Sequence, residues 1–392
     1  MSTAPLPVAT VRAVTRAADA PDDLLDALGP DGIAWLHDGV GFVTAGIAAR
    51  VAPDRARAWL AEIHHDDEIG RPGTGPLAVG ALPFDPGEPG ELLVPQRIVG
   101  RDTAGRAWVT ELGPPLRATS RPSRPPTTFT VREQTSRSAW GMAVATALDA
   151  IARGELEKVV LARRVDVDGD SPFEIRTILR RLCEQQPGCF VYASDGMVGA
   201  SPELLVRRFG TSVESQPMAG TSILTDDAAL VRLRGSAKDA REHRPVVDAI
   251  IATLAPLCRE LDVGAAPEVA RFASVAHLVT SVRGTLSEPA PDVVAIARAL
   301  HPTPAVGGTP RASALAAIAA LEQHPRDRYA GPVGWMDARG DGEWAVALRG
   351  ASVDGAHATL HAGAGIVAGS VADDEWREAQ AKLEPMIHAL VG

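Results

Sequence analysis

The sequence predicts an α+β fold in which helices are interspersed irregularly with the strands of a sheet that is at least partly antiparallel. Three observations predict it. Strand-like and helix-like segments alternate after residue 130 without a regular period. The segment GPVGWMDARGDGEWAVALRGAS (331–352) reads as two strands around a Gly/Asp turn, with a third strand, HATLHAGAGIV (357–367), after it. Such a meander requires antiparallel pairing. Finally, 45% hydrophobic residues in a chain of 392 can bury a large core, and the length permits one large domain or two to three ordinary ones.

Taken in order, residues 1 to about 115 mix short apolar runs with Gly/Pro punctuation, as in GIAWLHDGVGFVTAG and GPLAVGALPFDPGEPGELLVP. They read as strands and turns that act as scaffold. PPLRATSRPSRPPTTFTV (114–131) is the one plausible linker, too rich in proline for a helix and too polar for a buried strand, and places a soft boundary near residue 130. Beyond it the pattern predicts a helix near 136–153, a strand from Lys158, a helix near 172–186, and strands around 189–194 and 203–209. Val246, Val247, Ile250, Ile251, Leu254, Leu257 and Leu261 recur at three and four, predicting an amphipathic helix over 239–261. DDEWREAQAKLEPMIHALVG closes the chain as a helix with Glu375, Glu378 and Lys382 on one face. No period of about 20–50 residues indicates repeats.

A formal charge of −10 without a basic cluster argues against nucleic-acid or anionic-membrane surfaces, which leaves small-molecule chemistry. Cys183, Cys189 and Cys258 form neither a disulfide framework nor a zinc-cysteine pattern, consistent with a reducing cytoplasm. No signal peptide or spanning run is read, and no HExxH, GxSxG or P-loop motif occurs.

Of the 39 basic residues only three are lysines, Lys158, Lys238 and Lys382. A lysine amine can lose its proton when buried, which a guanidinium cannot, so lysines kept in an arginine-rich chain suggest amine chemistry; drift in composition is the plain alternative. Asp239/Glu242 and Glu375/Glu378 are each spaced i, i+3 on a predicted helix, so each pair presents two carboxylates to one side. Four convergent oxygens suit Mg²⁺; either pair alone reads as a solvated helix face, and only the lysine beside each, Lys238 and Lys382, brings the two readings level. GAGIVAG (363–369) lacks the dinucleotide-binding spacing and a following βαβ unit. It is either a strand whose glycines bring backbone close to a ligand or a tight strand-to-helix turn. HPTPAVGGTPR (301–311) is either a pocket-lining loop or an ordinary connection between helices.

The blocks EKVVLARR (157–164), GASPELLVRR (199–208), PMAGTS (217–222), SAKDAREHRPVV (236–247), LHPTPAVGGTP (300–310), GPVGWMDARGDGEWAVALRGA (331–351) and GAGIVAGSVADDEWREAQAKL (363–383) together resemble the chorismate-utilising enzymes, the isochorismate synthase type above all. VGALPFDP (79–86) is also similar to that group. The resemblance implies an α+β fold of two large, mostly antiparallel sheets packed as a core with helices outside. It makes 1–392 one domain, with 1–130 the more variable scaffold and 131–392 the catalytic part. By resemblance, Glu242 and Glu375 ligate Mg²⁺ while Asp239 and Glu378 help through bound water. Lys158 matches the base that activates water for attack on C2 of chorismate, and Glu203 the acid that protonates the departing C4 hydroxyl. Arg349, Lys382, His277, Tyr329 and backbone groups of Gly220, Thr221, Gly363 and Gly365 match substrate-contacting positions.

The same resemblance implies a cytoplasmic, monomeric isomerase of siderophore, salicylate or menaquinone biosynthesis, with no glutaminase subunit, since aminating relatives usually carry glutamine where Lys158 stands. Salicylate synthases, which go on to eliminate pyruvate, share the base, the acid and the metal site. The LHPTPA block is more similar to plain isochorismate synthases. Val306 and His361 depart from that type, which commonly has leucine and phenylalanine there.

Overall fold

The computed structural model describes residues 12–114, 124–223, 226–273 and 275–392. Half of the proline-rich linker, residues 115–123, therefore lies outside the described residues. Its last residues do not behave as a linker: Phe129–Glu133 is a strand paired antiparallel with Lys158–Gly169.

Hydrogen bonding connects 20 strands in two ladders that meet at Leu92–Arg101. The first runs His64–Asp67, Arg12–Ala17, Ala107–Leu112, Leu92–Arg101, Val40–Val51, Ala34–His37, Phe190–Ser194, Met197–Ser201, Gly350–Asp354, His357–Val367, Lys158–Gly169 and Phe129–Glu133. The second runs Leu77–Ala81, Pro332–Asp337, Gly342–Val346, Leu204–Phe209, Ser212–Ser215, Val282–Leu286 and Cys258–Val263. The short strand Gly308–Thr309 pairs with the start of Lys158–Gly169, and Val79 against Leu93 joins the ladders. Among these pairings only Arg12–Ala17 with His64–Asp67 is parallel. Strands on either side of residue 130 hydrogen-bond directly, as Ala34–His37 does with Phe190–Ser194. A separate three-stranded sheet joins Met218–Ser222, Ala276–Val279 and Glu268–Arg271.

The expected meander divides. Pro332–Asp337 and Gly342–Val346 form one hairpin in the second ladder, while Gly350–Asp354 and His357–Val367 form another in the first. Local alternation is the same in both arrangements, because what separates them is which distant strand each hairpin finds. The chain crosses between ladders at Leu348 and Arg349, and Arg349 takes φ +47°, a left-handed conformation that favours glycine and is disfavoured for a side chain.

The helix read over 239–261 is shorter than its apolar period suggests. It spans Ala237–Leu254, with the Ser236 hydroxyl accepting from the Asp239 N–H, and gives way to a 3₁₀ turn, Ala255–Leu257. Pro256 lacks the N–H that a further turn would need, and Leu261 instead lies in the strand Cys258–Val263. The helix near 172–186 is Ile175–Gln185, started by the Glu174 carboxylate accepting from Thr177 N–H. Helices Arg137–Ala152 and Ala372–Val391 match their patterns, the latter burying Glu375, Trp376, Ala379, Leu383, Met386 and Leu390. Among the described residues no helix is long and apolar enough to cross a membrane.

The loop 301–310 joins helices Val293–Leu300 and Arg311–Leu321, and it also lines the pocket described below. A buried ion pair holds it. Arg326 is paired with Glu322, Arg326 Nε to Oε2 at 2.9 Å, while its other nitrogens donate to the carbonyls of Val306 (2.7 Å) and Val160 (2.8 Å). Glu322 also accepts from the Ala162 N–H at 2.8 Å. Removing one member would strand the other's charge in the interior. Glu322→Ala is expected to lower the unfolding free energy by about 3–5 kcal/mol, measured by denaturant titration.

Candidate active site

One cleft gathers residues that are far apart in sequence. Among its lining residues are Val160, Glu203, Thr221, Glu242, His277, Val306, Tyr329, Arg349, His361, Gly363, Gly365 and Lys382. Lys158 opens its strand, is 1% exposed and contacts Glu242, one of the lining residues. Its Nζ donates to Glu242 Oε1 at 3.1 Å and to the Glu242 carbonyl at 3.5 Å. Gly365 lies across the strand pairing from Val160, and a Cβ there would come 2.4 Å from Glu242 Oε1 and 3.0 Å from Lys158 Cε. The glycine in GAGIVAG is therefore required by a close approach, to an ion pair on this chain. The tight-turn reading holds as well, since Gly369 at φ +88° lies between the strand and the final helix.

Each of the three lysines holds an acid. Lys238 lies 3.2 Å from Glu375, and Lys382 donates to Glu378 at 2.7 Å and to the Gly363 carbonyl at 3.0 Å. Burial pushes the Glu242 carboxyl up, but Lys158, Lys382 and Lys238 more than offset it and leave its pKa below the usual value. Glu375 goes the other way, raised by burial and by Glu378 beside it. Burial also raises Glu203, to about 7, although a backbone hydrogen bond from Met218 and the Lys158 and Lys382 charges pull it down. One carboxyl is thus held charged and another near neutrality within one cleft, the environmental split that acid and base roles require.

His277 and Arg349 meet at the three-stranded sheet. An Arg349 guanidinium nitrogen lies 3.0 Å from His277 Nε2, and Nδ1 lies 3.2 Å from Thr221 Oγ1. A guanidinium only donates, so Nε2 accepts and Nδ1 carries the proton, which leaves the Thr221 hydroxyl hydrogen free to donate elsewhere. Burial, with Arg349 and Lys382 nearby, holds this imidazole well below its usual pKa. Arg349 is 6% exposed and, among the described residues, has no carboxylate partner and no hydrogen-bond partner for its second guanidinium nitrogen. Such a group is suited to an anionic ligand. Gly220, at φ +76°, lets the sheet approach the helix start, where a Cβ would lie 2.9 Å from that of Asp239. Tyr329 is buried, and the Gly363 N–H reaches its hydroxyl.

Among the described residues no group of three or more His, Cys, Asp or Glu side chains is arranged to hold a metal ion. The donor set nevertheless fits a hard cation. Glu375 contacts the Lys238 ammonium while Glu242 and Glu378 act on it from farther off, so all three carboxylates lie within electrostatic reach of one cation, and all are oxygen donors. Asp239 stands at the first turn of its helix, beside Gly220. Sequence reasoning missed the apolar lining, Val160, Pro202, Met218, Ala219, Ala305, Leu348 and Ala362, whose residue types carry no chemical signal, and it missed the Arg326–Glu322 brace.

The profile of the family described as Chorismate binding enzyme matches residues 104–391. MenF of Mycobacterium tuberculosis (strain ATCC 25618 / H37Rv) is 38% identical over 377 residues, 91% of this chain and 98% of that protein. Isochorismate synthase DhbC of Bacillus subtilis (strain 168) is 35% identical over 80% of this chain and 81% of its own length. The solved structure of MenF, the menaquinone-specific isochorismate synthase of Escherichia coli, superimposes with a TM-score of 0.84 at 27% identity, covering 98% of this chain and 95% of that one.

The close approach at Gly365 generates a test. Gly365→Ala forces its methyl against Glu242 and Lys158, and is expected to lower chorismate turnover at least about a hundredfold while the circular-dichroism spectrum stays native.

Proposed function

The chain belongs to the chorismate-binding enzyme family, and we propose that within it this protein is an isochorismate synthase, isomerising chorismate by adding water at C2 and releasing the C4 hydroxyl. The observation that carries the reading is the cleft's pairing of a buried lysine amine, Lys158, with a buried carboxyl, Glu203, whose pKa lies near 7. Both sides of a proton-coupled displacement are thus supplied. Lys158, the ammonium of the pair with Glu242 at rest, gives a proton up to solvent and then accepts one from the attacking water. The new C2–O bond forms as the ring double bond shifts, and protonated Glu203 donates to the C4 oxygen, which departs as water. Arg349, His277 and Thr221, which line the same cleft, hold the anionic, oxygen-rich substrate.

Glu242 and Glu375 would hold Mg²⁺, with Glu378 and Asp239 assisting through water; when bound, the ion supplies positive charge to the substrate's ring carboxylate and draws electron density from C2. Lys238 adds positive charge beside Glu375. Salicylate synthase is the alternative reading, favoured by one observation: His361 puts a polar ring into this cleft. The pathway served, whether siderophore, salicylate or menaquinone, follows from the enzymes that consume the product.

Purified protein incubated with chorismate and Mg²⁺, without ammonium, is expected to yield an isomer of equal mass and no enzyme-dependent pyruvate. Salicylate with equimolar pyruvate would replace the proposal with the alternative. Lys158→Ala and Glu203→Ala are each expected to reduce turnover by about a hundredfold or more while leaving Mg²⁺-dependent chorismate binding, followed by calorimetry, nearly intact. Because burial lifts the folded-state pKa of Glu203 to about 7, its carboxyl band in infrared difference spectra of wild type against Glu203→Gln is expected to convert from the protonated to the ionised form around pH 7; a carboxyl already ionised at pH 5 would remove Glu203 from the acid role.

A further inference from the structure

Two crossings between the ladders lie side by side. Met197–Ser201 belongs to the first ladder and Leu204–Phe209 to the second, so Pro202 and Glu203 make one crossing. Gly342–Val346 and Gly350–Asp354 are divided in the same way, and residues 347–349 make the other. Pro202 has no N–H to give, and neither Pro202 nor Glu203 has a place in the strand registers on either side. The acid of the reaction proposed above therefore stands where ladder register lapses, and its backbone needs other partners.

Ser201 supplies one. It is 0% exposed; its hydroxyl donates to the Val346 carbonyl at 2.5 Å, and the same oxygen accepts from the Glu203 N–H at 3.3 Å. The Glu203 carbonyl accepts from the Val346 N–H at 3.1 Å. A single hydroxyl thus closes a turn around Pro202, as serine does two residues before an N–H, and ties it to the end of the strand that leads into the other crossing. Both backbone groups of Glu203 are held, one by Ser201 and one by Val346. A second buried hydroxyl fastens the neighbouring crossing instead: Tyr192 donates to the Leu348 carbonyl at 3.2 Å, in space left by Gly199 and Gly350, where a Cβ would come 2.5 and 2.6 Å from its oxygen. That bond lies beside Arg349 and makes no contact with the acid's backbone.

We propose, building on the isochorismate synthase reading above, that Ser201 is a positioning residue whose hydroxyl fixes the Glu203 backbone so that the carboxyl meets the departing C4 oxygen. Enclosed as it is, Ser201 acts through Glu203 and not on the substrate. Proton transfer requires the acid within hydrogen-bond reach of the leaving oxygen, and a displacement of about 1 Å can cost about a hundredfold in rate. Binding, which draws on many other groups, is insensitive to the same displacement.

The test is steady-state kinetics with chorismate and Mg²⁺, with chorismate binding followed by calorimetry and stability by thermal unfolding, on the wild type, Ser201→Ala, Tyr192→Phe, Glu203→Ala and the double variant Ser201→Ala/Glu203→Ala. Ser201→Ala is expected to lower kcat about ten- to thirtyfold while the chorismate Kd stays within about twofold. Tyr192→Phe removes one buried hydrogen bond from the adjacent crossing and is expected to keep kcat within about threefold. Once the carboxyl is gone, loss of the Ser201 hydroxyl is expected to change the residual kcat by less than about twofold, because the two residues act as one unit. Wild-type kcat in Ser201→Ala overturns the proposal, whatever its Tm. So does an equal fall in Ser201→Ala and Tyr192→Phe, which would mark general loosening of the crossings, or a full additional loss in the double variant. Wild-type protein that leaves chorismate unchanged, or Glu203→Ala with wild-type kcat, refutes instead the reading on which the role of Ser201 rests.

Discussion

A lysine ammonium and a glutamate carboxylate 3.1 Å apart, with almost no access to water, set the terms for the rest of this cleft. Desolvating either charge alone would cost several kcal/mol, so Lys158 and Glu242 are tolerable inside only while they face each other. That requirement reaches outward. Gly365 must lack a side chain, since any Cβ would intrude on the pair. The strand beginning at Lys158 must keep its register with His357–Val367 from Lys158↔Val367 to Asp168↔His357, because a slip of one residue would turn the amine to the other face. Helix Ala237–Leu254 must start where the Ser236 cap puts it, so that Glu242 arrives on the cleft side.

The pairing of every lysine with an acid extends this logic. Lys158, Lys238 and Lys382 face Glu242, Glu375 and Glu378, and the groups sense one another across both helices. Charges at this depth interact through a medium far less polarisable than water, so small differences in position become large differences in protonation. Glu242, in direct contact with a lysine, is held ionised. Glu203 feels the same ammonium groups only at longer range, and burial dominates its carboxyl. Two glutamates in one cleft thereby acquire opposite protonation preferences without any difference in residue type.

Much of the site was legible because its chemistry depends on residue type at fixed spacing. Acids at i, i+3 on Ala237–Leu254 and Ala372–Val391 share a face by helix geometry, and each pair indeed meets a lysine or flanks one that does. Glycine in GAGIVAG signalled a close approach, though to what could not be read, since Lys158 lies more than two hundred residues earlier. Pro256 could have warned that the apolar period through Leu261 would not stay helical. The apolar lining and the Arg326–Glu322 brace left no trace, because an alanine, a valine or a surface-type ion pair looks the same in sequence wherever it ends up.

By itself the sequence determined the local elements and the inventory of reactive groups: where helices begin, which strands alternate, and that lysines, acids and glycines recur in motifs. These follow from backbone sterics and side-chain chemistry acting over a few residues. Only the tertiary structure decided that the two C-terminal hairpins belong to different ladders, and that Arg349 crosses between them in a left-handed conformation to meet His277. It alone buried His361 Nε2 without a hydrogen-bond partner among the described residues. Strand partners are chosen by burial and long-range hydrogen bonding, and protonation by the depth and neighbours that result, so neither exists until distant segments have packed.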